Sequence, residues 1–426
     1  MTGSGPLKTP HPAQTTAPSP LTINGERLNA HLAALAQIGR LAHGGVSRVA
    51  FSAADLAARR QVQDWMRIAG MAVRTDAAGN LIGRYPGRQA QAGALATGSH
   101  LDTVPVAGRY DGSLGVLAGI ELVQTLHEQP LQLQHPLEVI VFTDEEGMML
   151  GCKAMAGERV ADPEAYRRPD GTSIQTCLGQ IGGNWVEMAT AERTAEEIVA
   201  FVELHVEQGG VLEQAQMDIG VVTGVVGQHR FTVTIAGRPN HAGTTPMDQR
   251  QDALVAAAQV VLAVNRLGCE TPGEQVATVG YLVVSPNAVN IVPAQVDLTI
   301  DLRDLSQAHL NQLIQQLRQA LQAIAQQTQT QIEMVETLHI PPTLATTAIM
   351  KTIEAVCDDW GYSHLRLPSR AGHDAQEIGR FTKMGMIFVP SRDGISHAEA
   401  EYTAPEQCTQ GANALLQTFL RLDTQF

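Results

Sequence analysis

The sequence is short of three things: cysteine, long apolar runs and positive charge. Its five cysteines in 426 residues are odd in number and none is paired at metal-ligand spacing. That excludes a disulfide framework and suggests a reducing compartment, with the cytoplasm as the expected address. No apolar run has bilayer length, so no membrane partner is expected. Residues 1–20 are rich in Thr, Pro and Ser and lack an apolar stretch, which reads as a disordered tail rather than a signal peptide. Lys plus Arg number 29 against 43 Asp plus Glu, a formal charge of −14. That balance argues against nucleic acid and anionic membranes. A small anionic substrate stays open, because a buried cationic site overrides the global field locally.

What is present is an ordinary globular composition, 44% hydrophobic, in a chain long enough for two or three structural units. Residues 22–41 and 53–70 have apolar residues at helical spacing. Apolar runs at 80–84, 94–99 and 137–142 read as strands, with a helix over 112–127 between the last two. Strand, helix, strand suggests a βαβ unit in an α/β sheet. The stretch 226–337 has its own order. A strand around Phe231–Ile235 is followed by a helix over 247–266, strands at 276–284 and 296–302, a helix over 306–326 and a strand at 332–335. That β-α-β-β-α-β order is ferredoxin-like. The expected organisation is therefore a discontinuous catalytic domain over 21–220 and 338–426, interrupted by an inserted domain over 221–337.

Five stretches offer chemistry. His100 and Asp102 share a strand face, so Asp102 is placed to take the second N–H of a ligating imidazole. Asp111 stands at a helix start, where an ordinary cap is the competing explanation. Glu145 and Glu146 follow the strand 137–142, and strand ends are where sites form in open α/β sheets. In 201–207, Glu203, His205 and Glu207 alternate with Val202, Leu204 and Val206, which could equally mark a wet strand face. His397 lies in a loop after 385–390. Each signal alone is weak. Together, His100, Asp111, Glu146, His205 and His397 suit two dications about 3.5–4 Å apart with one bridging carboxylate.

The stretches GSHLDTVP (98–105), GRYDGSLGVLAG (108–119), FTDEEG (142–147), ELHVEQGGVLE (203–213), NHAGTTPM (240–247), PNAVNIVP (286–293), DLR (301–303), AGHDAQ (371–376) and FVPSRDGISHAEAEYT (388–403) carry a resemblance. In unbroken order they resemble the hydantoinase/carbamoylase family of dinuclear metal amidohydrolases, which shares the zinc-aminopeptidase-like fold. The resemblance implies an α/β catalytic domain with an inserted α+β dimerisation (lid) domain and a homodimer. It implies two divalent metals per chain, with zinc expected and manganese, cobalt or nickel as alternatives. His100, Asp111 and His205 would hold one metal, and Asp111, Glu146 and His397 the other. Glu145 would be the general base and Asp102 the residue that orients a ligand. Arg303 matches an arginine that grips a substrate carboxylate, as a planar guanidinium does well. Gln208, His241 and Asn290 match contacts to the ureido group, with His241 stabilising the oxyanion from the neighbouring subunit. Gly372 and His373 match a loop that lines the site. Arg370, Met148-Met149-Leu150 and His229 depart from the family's pattern and bear on substrate choice.

The expected reaction is hydrolysis of a ureido C–N bond in a small carboxylate substrate, an N-carbamoyl-L-amino acid or allantoate. A metal-bridging hydroxide would attack, with Glu145 moving the proton. The rival within enzymes is a metallopeptidase or N-acyl amino acid deacylase of the same fold. The rival of another class is a catalytically inactive small-molecule binding protein.

Overall fold

The computed structural model describes residues 21–159, 162–166, 168 and 170–426. The expected tail over 1–20 lies outside the described residues. Fifteen strands are described: β1 (Ala72–Thr75), β2 (Leu81–Tyr85), β3 (Ala94–His100), β4 (Leu137–Phe142), β5 (Ile198–Val206), β6 (Ile219–Val225), β7 (Gly227–Ala236), β8 (Asn240–His241), β9 (Val276–Ser285), β10 (Ile291–Val292), β11 (Gln295–Asp304), β12 (Gln331–Ile340), β13 (Thr343–Leu344), β14 (His364–Ser369) and β15 (Lys383–Val389).

Nine of them form one mixed sheet in the order β1-β2-β4-β3-β5-β15-β6-β13, with β14 also paired to β6. Its centre, β4-β3-β5-β15, is parallel. Parallel strands have both faces covered and read as continuous apolar runs. The sequence obeys this: β3 and β4 are buried along their whole length. The helix Ser113–Glu128 packs on β3, β4 and β5, burying Val116, Leu117, Ile120 and Val123. The closing helix Pro405–Leu422 packs against it. Because the four central strands run the same way, their C-terminal ends open on one edge, where open α/β sheets place their sites.

The expected β-α-β-β-α-β unit is present as the antiparallel sheet β12-β7-β11-β9. Helices Ala253–Glu270 and Gln307–Thr328 cover it and share a separate apolar core with Phe231, Val233, Ile235, Leu298 and Ile300. Its boundaries differ from the expected 221–337. Residues 221–225 belong to β6, which pairs with β14 and β15 in the large sheet, and β12 stays in the small sheet through Ile340. A Val-rich run does not say which of two sheets it joins.

Three other expectations change. The helix read over 22–41 ends at Leu35, capped at its start by Asn24. The polar alternation of β5 is not a wet face: Glu203 and His205 are buried, because β5 is central and flanked by β3 and β15. Finally, Ala253–Glu270 is long and apolar enough to span a membrane, which the sequence reading did not anticipate. Its Ala256, Ala257, Val260 and Val264 lie in the small core, as befits a core helix.

Candidate active site

The four parallel strands deliver the ligand-type residues to one place. His100 ends β3, Glu145 and Glu146 follow β4, His205 is the penultimate residue of β5, and His397 follows β15. Asp111 precedes the helix Ser113–Glu128 and stands at the centre. Its Oδ1 is 3.1 Å from His205 Nε2 and 3.5 Å from His100 Nε2. Its Oδ2 is 3.4 Å from His397 Nε2, which in turn is 3.5 Å from Glu146 Oε1. The ligand atoms of His100, Asp111 and His205 all lie within 4.8 Å of one another, as do those of Asp111, Glu146 and His397. These are the two triplets expected from the sequence, and they share Asp111.

Gly112 is required where it stands. Its φ is 62°, and a Cβ there would sit 2.5 Å from the His100 ring. Around the cluster, Asp144, Met149, Gln208 and His397 hold φ between 53° and 57°, the left-handed region that costs a side-chain-bearing residue. Such strain concentrated at one place is typical of a functional site.

The donor set fits dications. His100 Nδ1 lies 2.9 Å from the Asp102 carbonyl oxygen, and His205 Nδ1 lies 2.9 Å from the Val206 carbonyl oxygen. Each Nδ1–H is thereby used on backbone, which leaves Nε2 as a lone pair. The Gly112 N–H donates to His205 Nε2 at 3.2 Å, in keeping with that tautomer. Lone pairs aimed at a carboxylate repel it, and a cation between them turns repulsion into ligation. Glu146 Oε1 is buried without a hydrogen-bond partner, as an oxygen reserved for a metal would be.

Without a cation, protons can take its place: burial disfavours the Asp111 carboxylate, but His100, His205 and His397, when they carry a proton on Nε2, outweigh it and hold the carboxyl well below its usual range. Burial pushes the Glu145 carboxyl well up, partly offset by His100. Two dications alongside would draw it down again.

Other expected residues fall into two groups. Gln208, Arg303, Gly372 and His373 line the same cavity of about 240 Å³ as the cluster. Gln208 Nε2 donates to Asp111 Oδ2 at 2.8 Å. His373 is buried against His205, their ring centroids 4.5 Å apart, and its Nε2 is 2.8 Å from Ser369 Oγ. Asn290 and His241 do not line that cavity within the chain. His241 lies in the β8–β10 ladder and Asn290 immediately precedes β10, its carbonyl oxygen accepting the Ala242 N–H at 2.9 Å. His241 is exposed, and the N–H groups of Gly243 and Thr244 both donate to its Nδ1, at 3.0 and 3.2 Å. Neutral His241 therefore carries its proton on Nε2.

Asp102 needs a correction. Its carboxylate is 4.0 Å from His100 Nδ1, and the backbone carbonyl takes that contact instead. The carboxylate accepts the Glu146 N–H at 3.1 Å and the Glu145 N–H at 3.4 Å, so it braces the acidic turn. Strand periodicity placed the side chain on the right face, but it ceased to apply at Leu101, where β3 has ended.

Two positioning residues were missed. Glu401 Oε1 accepts the Tyr110 N–H at 2.8 Å and the Asp111 N–H at 3.1 Å, and burial pushes its carboxyl up to about 7. Glu203 takes the Ser99 hydroxyl at 2.7 Å and the Ala375 N–H at 2.9 Å, tying three site segments together. The only hint of either was a carboxylate inside the GISHAEAEYT and ELHVEQ stretches. Of the departures, Arg370 and Met149 line the cavity, whereas Met148 and His229 do not.

Comparison with known proteins agrees. Residues 96–421 match peptidase family M20/M25/M40, a family of metal-dependent hydrolases. The N-carbamoyl-L-amino acid amidohydrolase of Geobacillus stearothermophilus is 39% identical over 94% of this chain and 99% of its own. The allantoate amidohydrolase of Bacillus subtilis is 36% identical over 91% of this chain and 95% of its own. A crystal structure of a hydantoinase/carbamoylase family amidase from Burkholderia multivorans superposes with a TM-score of 0.87, at 35% identity over 94% of this chain and 98% of that one. With its α/β architecture and two groups of ligand-type side chains sharing one aspartate, the chain belongs to the hydantoinase/carbamoylase amidases of peptidase family M20/M25/M40.

Proposed function

We propose that the protein is an amidohydrolase that cleaves the ureido C–N bond of a small carboxylate substrate, an N-carbamoyl-L-amino acid or allantoate. The observation that carries this reading is one cavity of about 240 Å³ lined both by the Asp111-centred cluster and by Arg303. A cavity of that size that offers both a cation cluster and a guanidinium suits a small substrate with a carboxylate.

His100, Asp111 and His205 would hold one dication and Asp111, Glu146 and His397 the second, with zinc as the expected metal. Bound there, the metals supply Lewis acidity that polarises a carbonyl and makes water acidic enough to attack near neutral pH. Glu145, which lies 3.6 Å from His100 Nε2, takes the proton of the attacking water and returns it to the leaving nitrogen. The carbamate formed from an N-carbamoyl substrate then breaks down to carbon dioxide and ammonia. Arg303 receives the carboxylate and Gln208 faces the ureido group.

His241, with its proton on Nε2, is suited to be an oxyanion donor but does not line the cavity of its own chain. We therefore propose a homodimer in which it serves the partner's site. Leu254, Val255 and Leu262 on one helix, and Tyr281, Leu282 and Val283 on edge strand β9, are exposed apolar residues that pairing of two small sheets would cover. Ammonia release from N-carbamoyl-L-amino acids and from allantoate, by chelated and metal-reconstituted protein, tests the reaction. Hydrolysis of N-acyl amino acids or dipeptides in their place would overturn it.

A further inference from the structure

Two arginines, not one, enter the cavity. Arg303 comes from the end of β11 and Arg370 from the loop after β14. Arg303 donates through Nε to Asp301 Oδ1 at 2.8 Å and through Nη1 to the Arg370 carbonyl oxygen at 2.7 Å. Arg303 thus fixes the backbone from which the Arg370 side chain projects. Arg370 itself donates from Nη2 to the Glu274 carbonyl oxygen at 3.1 Å. The Glu274 carboxylate is 3.9 Å away and its side chain is 77% exposed, and a pair that long and wet neutralises little. A guanidinium has five N–H donors, so most of those on Arg370 remain available to the cavity.

The remaining wall points the same way. Outside the Asp111, Glu145 and Glu146 cluster, no carboxylate is among the described residues that line the cavity. Gln228 also lines the cavity, and Val226, Ile340, Met149 and Ala371 supply apolar lining. One guanidinium suffices for the single carboxylate of an ordinary N-carbamoyl amino acid. A second, half-exposed and weakly paired, is surplus to that need.

We propose that Arg370 receives a second carboxylate, so that the substrate is a ureido dicarboxylic acid such as the N-carbamoyl derivative of glutamate or aspartate. This rests on the ureido reading above and narrows it to one substrate class. The alternative is that Arg370 only ties the Glu274 loop to the cavity rim. In that case its charge matters equally to every substrate.

The test compares N-carbamoyl-L-glutamate with N-carbamoyl-L-glutamine, which differs from it in little but charge, using the metal-loaded full chain. The expected kcat/KM favours the acid by about tenfold or more, the scale of one hydrogen bond to a charged group. Arg370→Met removes that preference, and Arg370→Lys restores part of it. Equal rates for acid and amide in the parent protein, or equal losses for both in Arg370→Met, overturn the inference. If N-carbamoyl-L-alanine or allantoate is cleaved well while the acid has no advantage over the amide, only the dicarboxylate assignment fails. If no ureido compound is cleaved at all, the broader reading fails and takes this one with it.

Discussion

His205 Nε2 and Asp111 Oδ1 stand 3.1 Å apart, and the second oxygen of the same carboxylate faces His397 at 3.4 Å. One side chain thereby belongs to both ligand triplets. Asp111→Ala should therefore remove both metals, where His397→Ala should spare the triplet it does not join. Elemental analysis after reconstitution should find about two dications per parent chain and close to none in Asp111→Ala. Chelation should abolish activity in the parent. A parent chain fully active with one tightly bound ion would contradict the shared carboxylate.

Glu145 and Glu146 are neighbours with different surroundings. Glu146 faces His397 and Asp111, whereas Glu145 faces His100. Glu145→Gln should keep the metals and lower kcat by roughly 10²–10⁴, the usual cost of losing general acid–base help. Glu146→Gln should lose metal. Metal content and kcat measured on the same preparations decide it, and the reverse pattern would exchange the two assignments.

Arg303 is 30% exposed at its side chain, so its grip on a carboxylate is partly screened by solvent. Arg303→Ala should lower kcat/KM for a ureido acid by about 2 kcal/mol, the lower end of the range for breaking a charge pair. A ureido compound without a carboxylate should change far less. Equal losses for both would reduce Arg303 to a strut for Asp301 and the Arg370 backbone.

His241→Ala should keep both metals and lose about 10²–10³ in kcat, as expected for one oxyanion donor. Mixed with His100→Ala under conditions that exchange subunits, it should recover activity, because one site of the mixed dimer then has intact ligands and an intact histidine. If exchange is verified by mass and no activity returns, His241 does not act across subunits.

The fold and the ligand cluster were legible because each followed from local pattern. The apolar runs of β3 and β4 mark buried parallel strands, and the ligand-type residues fall where those strands end. What was not legible depends on long-range partners. Whether β6 joins the large or the small sheet is set by β14 and β15, whose paired residues lie 144 and more positions later in sequence. The polar face of β5 looks wet until β3 and β15 are seen on either side of it. The carboxylate of Asp102 lies beyond the end of β3, so strand alternation no longer governs which atom meets His100. Glu401 is the same lesson at greater distance, since its partners are backbone N–H groups 290 positions earlier.

That last contact bears on how the protein is made. Four of the five ligand-type residues have left the ribosome by the time His205 has, but the brace on Asp111 and the fifth, His397, have not. Nor has β15, which slots between β5 and β6 and completes the sheet edge from which the cluster projects. A nascent chain halted before residue 383 therefore exposes β5 as an open edge and presents an unbraced acidic cluster beside it. Such a fragment invites aggregation. The order of synthesis leaves the cluster incomplete until His397 and Glu401 have been made.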